Sequence, residues 1–166
     1  MNQRTRYFIR YLFVVLFGVF LHSAYELSGE NPIVGLFAPV NESVWEHLKL
    51  LFFPMLVLTA WDLFTRNRNN LSFLPARTIS ILSGLAFIVI FYYTITGIIG
   101  IDIAWINIVI FLLAVIYTFW LERKICNRCR SLSITWAIII LILFILLFII
   151  FTIAPPPLGI FIPMAA

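Results

Sequence analysis

Long apolar runs alternate with short polar segments along this chain, and five of the runs are long enough to cross a lipid bilayer. The runs are mainly continuous Leu, Ile, Val and Phe, without the strict alternation that marks a half-buried strand. About 20 helical residues cross a hydrocarbon core of about 30 Å, and a backbone in lipid must satisfy its own hydrogen bonds. The pattern predicts an all-α bundle of five transmembrane helices, at about 7–28, 44–64, 74–99, 102–121 and 132–153.

Composition indicates the same class of protein. Of the 166 residues, 63% are hydrophobic and 11% are charged, and the mean hydropathy is +1.09. A soluble domain of this length cannot bury so much apolar surface. Because the loops are short, we expect a single membrane domain over residues 1–166. The first run is expected to stay as a helix, since no small-x-small cleavage site follows it.

Basic residues orient the predicted bundle, because Lys and Arg in short loops stay on the cytoplasmic side. They precede the first run and lie between the second and third and between the fourth and fifth: Arg4, Arg6, Arg10, Arg66, Arg68, Arg77, Arg123, Lys124, Arg128 and Arg130. This predicts a multi-pass protein of the cell (cytoplasmic) membrane with its amino terminus inside and its carboxyl terminus outside. The net charge of +4 is an orientation signal. It comes with no basic face or stacking platform, so we expect membrane lipids and not nucleic acid as partners.

Most of the polar chemistry is concentrated in residues 29–49 and in the end of the run before them. Both histidines and four of the seven acidic residues fall there. Prolines and glycines predict an outer loop over 29–43. Ser43 and Glu46 have the spacing of a capping box, in which each side chain accepts from the other's backbone N–H, and Asn41 is a competing cap.

Ionisable side chains are costly in lipid, so we expect those at the outer ends of the first two spans to face one another. His22 and Glu26 are four residues apart, as are Glu42 and Glu46, which places each pair one helical turn apart on one face. The residues expected to converge on a pocket open to the outer side are His22, Glu26, Glu42, Glu46 and His47. The expected binding residues beside them are Tyr25, Asn41, Ser43 and Lys49.

These side chains suit two kinds of chemistry. Two imidazoles and several carboxylates bind a divalent metal such as Zn²⁺, whose open coordination position activates water. The metal hypothesis assigns His22, Glu26, Glu42 and His47 as ligands. Without a metal, Glu46, His47 and Glu26 would act directly as catalytic acid and base.

Three functions stay open at this point. One is a hydrolase or transferase, metal-dependent in one version, that acts on a lipid-linked or envelope substrate. The alternative is a small transporter or a cation- or proton-coupled binding protein. An accessory subunit of a membrane complex is the third.

Several further features carry weaker expectations. Cys126 and Cys129 form a C-x-x-C pair in the inner loop, where a closed zinc site would need two more ligands, so we expect a reduced thiol pair. Asp62 and Arg66 are expected to pair at the inner interface. The stiff, apolar tail at 154–166 is expected to lie along the outer interface and to fold over the polar pocket as a lid, with interfacial anchoring alone as the alternative.

Three short motifs surround the polar segment: HxxYExSG at 22–29, PVNESVWEHLK at 39–49 and FFP at 52–54. Together they resemble an uncharacterised bacterial family of small integral membrane proteins of unknown function. The resemblance implies a location in the bacterial inner membrane. It implies no mechanism, because no activity is attached to that family.

Overall fold

The computed structural model describes residues 2–65, 71–101, 103–126 and 132–163, and within these ranges the chain forms helices and no strands. Five helices are long and apolar enough to cross a membrane: α1 (Gln3–Leu27), α3 (Val44–Thr65), α4 (Leu74–Ile99), α5 (Ala104–Ile125) and α6 (Ile134–Ile153). The short helix α2 (Pro32–Gly35) lies in the connection between α1 and α3. The predicted all-α architecture with five spans is confirmed.

Two of the spans extend further toward their polar ends than hydropathy suggests. α1 begins at Gln3 rather than near residue 7, and α5 ends at Ile125 rather than near residue 121. Arg, Glu and Lys are good helix formers, so the helix continues after the apolar run has ended. In α5 the extension also turns Glu122 toward the interior, where it is buried.

α3 is the central helix of the bundle. In its most apolar stretch 61% of the residues are buried, against 17 to 28% in the other four spans. α1, α4 and α6 pack against it, and Leu51, Phe52 and Met55 are completely buried in the core. The outer helices expose large apolar side chains such as Leu16 and Ile98. A helix that is apolar on all sides fits a lipid environment.

Contacts between helix termini define two ends of the bundle. At the histidine end, the end of α1 meets the start of α3 through His22 and His47, and Glu46 of α3 bonds Thr152 near the end of α6. At the arginine end, residues near the start of α1 and α4 meet residues near the end of α3 and α5. Consecutive spans therefore run in opposite directions, and α1 begins at the end of the bundle opposite to the end of α6.

A buried ion network joins four helices at the arginine end. Arg77 of α4 is completely buried; its Nη2 donates to Asp62 Oδ2 at 2.9 Å and its Nη1 donates to Thr59 Oγ1 at 3.2 Å. Its Nε lies 2.8 Å from Glu122 Oε2, close but not aligned as a hydrogen bond. Asp62 also pairs with Arg10 of α1. Two arginines and two carboxylates thus compensate one another inside the bundle.

Two expectations fall partly outside the described residues. Arg66, the expected partner of Asp62, lies outside the described residues. In the part of the chain that is described, Asp62 pairs with Arg10 and Arg77. Cys126 follows directly after α5, whereas Cys129 of the C-x-x-C pair is outside the described ranges.

Gly84 allows α4 to approach α5 and α3 closely. A Cβ added at Gly84 would overlap Thr118 Oγ1 and would lie 2.9 Å from Leu51 Cδ2. Small residues at such positions let membrane helices come into backbone contact. Gly97 of the same helix has open space around it, because nothing lies within 4 Å of a Cβ added there.

We therefore expect Gly84→Ala to destabilise the protein, by about 1 to 3 kcal/mol, because the new methyl group overpacks the contact between α4 and α5. Thermal unfolding of the full chain in detergent measures the effect. Gly97→Ala is the matched control and should leave the Tm unchanged or raise it, since Ala is the better helix former. The double variant Gly84→Ala/Thr118→Ala should recover part of the loss. An unchanged Tm for Gly84→Ala would contradict the close contact.

Candidate functional site

Side-chain caps fix the start of α3. Ser43 Oγ accepts from the Glu46 N–H at 3.3 Å, and Asn41 Oδ1 accepts from the Ser43 N–H at 2.9 Å. The first half of the predicted capping box is confirmed. The second half is wrong, because Asn41 and not the Glu46 carboxylate bonds the Ser43 N–H. The Glu46 side chain is therefore available for contacts elsewhere.

The connection from α1 to α3 folds back against the bundle. Gly29 and Glu30, with φ of 71° and 59°, turn the chain after α1, and left-handed backbone of this kind ends helices. Asn31 Oδ1 then accepts from the Ile33 N–H at 2.9 Å and caps α2. Gly35 is buried, and a Cβ added to it would lie 3.0 Å from the ring of Tyr25. Tyr25 thus supports the connection by packing.

Three ionisable side chains meet at the histidine end. His22, Glu42 and His47 each offer one ligand atom, and these atoms all lie within 4.8 Å of one another. The two imidazole rings are 5.3 Å apart between centroids, and His47 Nε2 lies 3.3 Å from Glu42 Oε2. We call these three residues the histidine group. They come from α1, from the residues before α3 and from the first turn of α3.

A backbone contact orients His47. Its Nδ1 lies 2.9 Å from the Ser43 carbonyl oxygen. A carbonyl oxygen only accepts, so this contact requires the proton on Nδ1 and leaves Nε2 as the ring atom that a metal would bind. Nε2 is the atom that faces Glu42. Histidines that bind metals are held in this way by a second hydrogen bond from the other ring nitrogen.

The histidine group is accessible on one side and packed on the other. The His22 residue is exposed, and the Glu42 and His47 side chains are 63% and 20% exposed. A crevice of about 40 Å³ lies beside His47, between α3, α4 and α5, and Tyr92 and Asn107 contribute to its wall. A cavity of this size accommodates a water molecule.

Glu46 and Lys49 form a separate, buried ion pair. Glu46 Oε2 accepts from Lys49 Nζ at 2.7 Å and from the Val40 N–H at 3.0 Å, and its Oε1 accepts from Thr152 Oγ1 at 3.0 Å. Lys49 Nζ also donates to the Gly35 carbonyl at 2.8 Å and to the Ala38 carbonyl at 3.2 Å. The pair therefore ties α3 to the connection before it and to the end of α6.

The structure brings together some of the predicted site residues and not others. His22, Glu42 and His47 meet in the histidine group. The others hold the local backbone through caps, packing or the buried pair: Tyr25, Asn41, Ser43, Glu46 and Lys49. Glu26 is exposed on α1, one turn beyond His22, and is not in the group of ligand atoms. Here the structure differs from the expected convergence of five side chains, because adjacent helical residues such as Glu46 and His47 point about 100° apart.

The tail folds back onto the first turn of α3. The Phe161 ring lies 5.0 Å from that of Trp45, and the Phe151 ring of α6 lies 5.4 Å from it. Pro163 and Ser43 form a single antiparallel β-bridge outside any strand. These contacts are on the Trp45 side of the turn, so a lid over the histidine group stays a prediction.

Sequence reasoning missed two partners of buried charges, Thr152 beside Glu46 and Glu122 beside Arg77. Thr152 is the single hydroxyl residue in the apolar second half of α6, and that isolation was a usable signal. Glu122 is an acid among the basic residues at the end of α5, and it reads as a surface residue until Arg77 is known to face it.

The fold and the site define a multi-pass helical membrane protein with an accessible His/Glu group at one end of its bundle. The chain belongs to the family described as "Family of unknown function (DUF6512)", whose model matches residues 1–165. Membership of a family of unknown function agrees with the expectation from the sequence motifs. No curated protein and no solved structure matches the chain.

The buried pair gives a test of the support beneath the site. Lys49→Met should destabilise the protein by about 3 to 5 kcal/mol, because it leaves the Glu46 carboxylate buried without its counter-charge. Thermal unfolding in detergent measures this, and Lys124→Met, at an exposed lysine of α5, is the control. The double variant Lys49→Met/Glu46→Gln should be more stable than Lys49→Met alone. If Lys49→Met unfolds at the temperature of the unaltered protein, the pair does not support the site.

Proposed function

We propose that the histidine group binds a divalent metal such as Zn²⁺ and that the protein is a metal-dependent hydrolase or transferase acting on a lipid-linked or envelope substrate. The observation that carries the proposal is the meeting of two imidazoles and one carboxylate, from separate segments, within 4.8 Å. Catalytic zinc sites use three protein ligands of these types and keep a fourth position for water or substrate.

Small side-chain rotations are enough to close the group around an ion. Ligand atoms of a tetrahedral zinc lie about 3.3 Å apart, since each is about 2.0 to 2.1 Å from the metal. Glu42 Oε2 and His47 Nε2 are already 3.3 Å apart. His22 is exposed, so its ring has alternative rotamers without displacing core residues. The fixed member of the set is His47, through its bond to the Ser43 carbonyl.

We assign different roles to the remaining acids. Glu26 lies one turn beyond His22 on α1, is exposed, and stands outside the ligand set, so its role in the proposal is that of general base toward a metal-bound water. Glu46 acts as a positioning residue, because its carboxylate is occupied by Lys49, Val40 and Thr152. These contacts hold the first turn of α3, which carries His47.

The location of the group favours a substrate with a lipid anchor. The group lies at the end of helices that are apolar on their outer surfaces, where lipid head groups would be. A lipid-linked molecule reaches such a site by lateral diffusion. The arrangement of basic loops supports a histidine end that faces outward.

The transport hypothesis needs Glu26, Glu42 and Glu46 to titrate or to bind a cation together. It receives less support, because the Glu46 carboxylate is occupied by Lys49, Val40 and Thr152. Metal-free protein with proton- or Na⁺-dependent ligand uptake in liposomes would favour transport over hydrolysis.

Metal binding is the first test. Protein purified in detergent without chelator should hold about one Zn²⁺ per chain, with affinity measured by competition against a chromophoric chelator. His22→Ala, His47→Ala and Glu42→Gln should each weaken binding by at least about 100-fold, since even the loss of an outer-shell partner costs about 10- to 100-fold. Glu30→Gln, an exposed acid of the same connection, is the control. Equal affinity in the control and the three variants would refute the metal site.

A variant of Glu26 distinguishes the role of general base from that of metal ligand. Glu26→Gln should keep Zn²⁺ affinity within about twofold of the unaltered protein, because the ligand set is complete without it. In liposomes of envelope lipids, zinc-loaded protein should release water-soluble products detectable by mass spectrometry, and Glu26→Gln should abolish this release. A Glu26→Gln variant that loses the metal would place Glu26 among the ligands. Unchanged turnover would remove it from the mechanism.

A further inference from the structure

A large cavity lies at the arginine end, far from the histidine group. It has a volume of about 640 Å³ and lies between α1 and α3. Ligand sites for small molecules have volumes of about 300 to 1,000 Å³, so the cavity has the size of a binding site. The proposed metal chemistry does not use it.

The cavity is polar at one end and apolar at the other. Along α1 its wall begins at Arg6 and continues to Phe13, and along α3 it runs from Val57 to Thr65. With a rise of about 1.5 Å per residue, the groove extends about 10 to 12 Å along the helices. Because α1 and α3 run in opposite directions, Arg6 and Thr65 lie together at the polar end of the groove, and Phe13 and Val57 lie together at its deep, apolar end.

Positive charge is in excess at the polar end of the groove. Arg10 is paired with Asp62, which Arg77 also binds. Arg6 is exposed and has no ion-pair partner among the described residues. The guanidinium fork suits the bidentate binding of phosphate oxygens. Trp61, also on the wall, is an aromatic residue of the kind found at the level of lipid head groups.

The apolar half of the groove is open sideways. Ile9 and Val57 belong to membrane-crossing helices, and each leaves nearly half of its surface uncovered. A soluble anion would leave this half empty. A second copy of the chain, docked here by two-fold symmetry, would bring the two Arg6 side chains toward each other. An amphiphile with an anionic head and an acyl chain satisfies both halves.

We propose that this groove is a binding site for an anionic phospholipid, with the phosphate on Arg6 and Arg10 and an acyl chain along Ile9, Phe13 and Val57. The site is independent of the histidine group and of any metal. A bound lipid would fill the space between α1 and α3 and would stabilise their contact at the arginine end.

Native mass spectrometry of the full chain in detergent tests the head-group contact. Phosphatidylglycerol should form a one-to-one adduct more strongly than phosphatidylcholine with the same acyl chains. Arg6→Gln should weaken the phosphatidylglycerol adduct about fivefold, the effect of one basic residue near an anionic lipid surface. Lys124→Gln removes an exposed charge outside the groove and should leave the adduct unchanged. Equal adducts with both lipids, or equal effects of the two variants, would overturn the head-group site.

A second pair of variants tests the acyl-chain contact. Val57→Trp fills the deep half of the groove and should abolish preferential binding, whereas Val109→Trp, at an equally exposed position of α5, should not. The exposed fractions of Val57 and Val109 are 44% and 43%. Displacement of the lipid by glycerol phosphate would show that only an anion binds. A dimer that Val57→Trp dissociates would show that a second copy occupies the groove. Either result would overturn the proposal.

Discussion

Every charge carried into the interior by the central helix must be paired there, and this constraint organises both ends of the bundle. α3 brings Glu46 and Lys49 into the histidine end and Asp62 into the arginine end, and all three are buried. An uncompensated charge in such surroundings costs several kcal/mol. The pairing partners come from the connection before α3 and from α1, α4 and α6. The same contacts that neutralise the charges therefore hold the helices together.

This constraint also explains how the histidine group is presented. Once Asn41 and Ser43 have capped α3, its first turn has a fixed rotation about the helix axis. Glu46 then faces the interior and binds Lys49, and the next residue, His47, is turned about 100° away toward α1. The buried pair and the accessible imidazole are consequences of one helix start. A change in the pair is expected to move His47 as well.

The helical class, the number of spans and the approximate limits of each span were predictable, because hydropathy over about 20 residues is a strong signal. The meeting of His22 with His47 was also predictable from equal depth on consecutive helices. The pairing of Glu46 with Lys49 was not predictable, since a capping box with Ser43 and an ion pair with Lys49 use the same spacing in sequence. Likewise Arg77 counts as a loop charge in an orientation argument, yet it is completely buried. Hydropathy records how polar a residue is and carries no information about which helix will face it.

The arginine end and the histidine group differ in what their polar residues do for the fold, and this difference bears on function. At the arginine end, Asp62, Arg77 and Glu122 are buried and serve one another. In the histidine group, His22 and Glu42 are exposed, and removing them would leave no buried charge unpaired. The packing of the bundle gives no reason for an imidazole and a carboxylate to stand beside His47. Chemistry at the membrane surface would account for the presence of His22, Glu42 and His47 together.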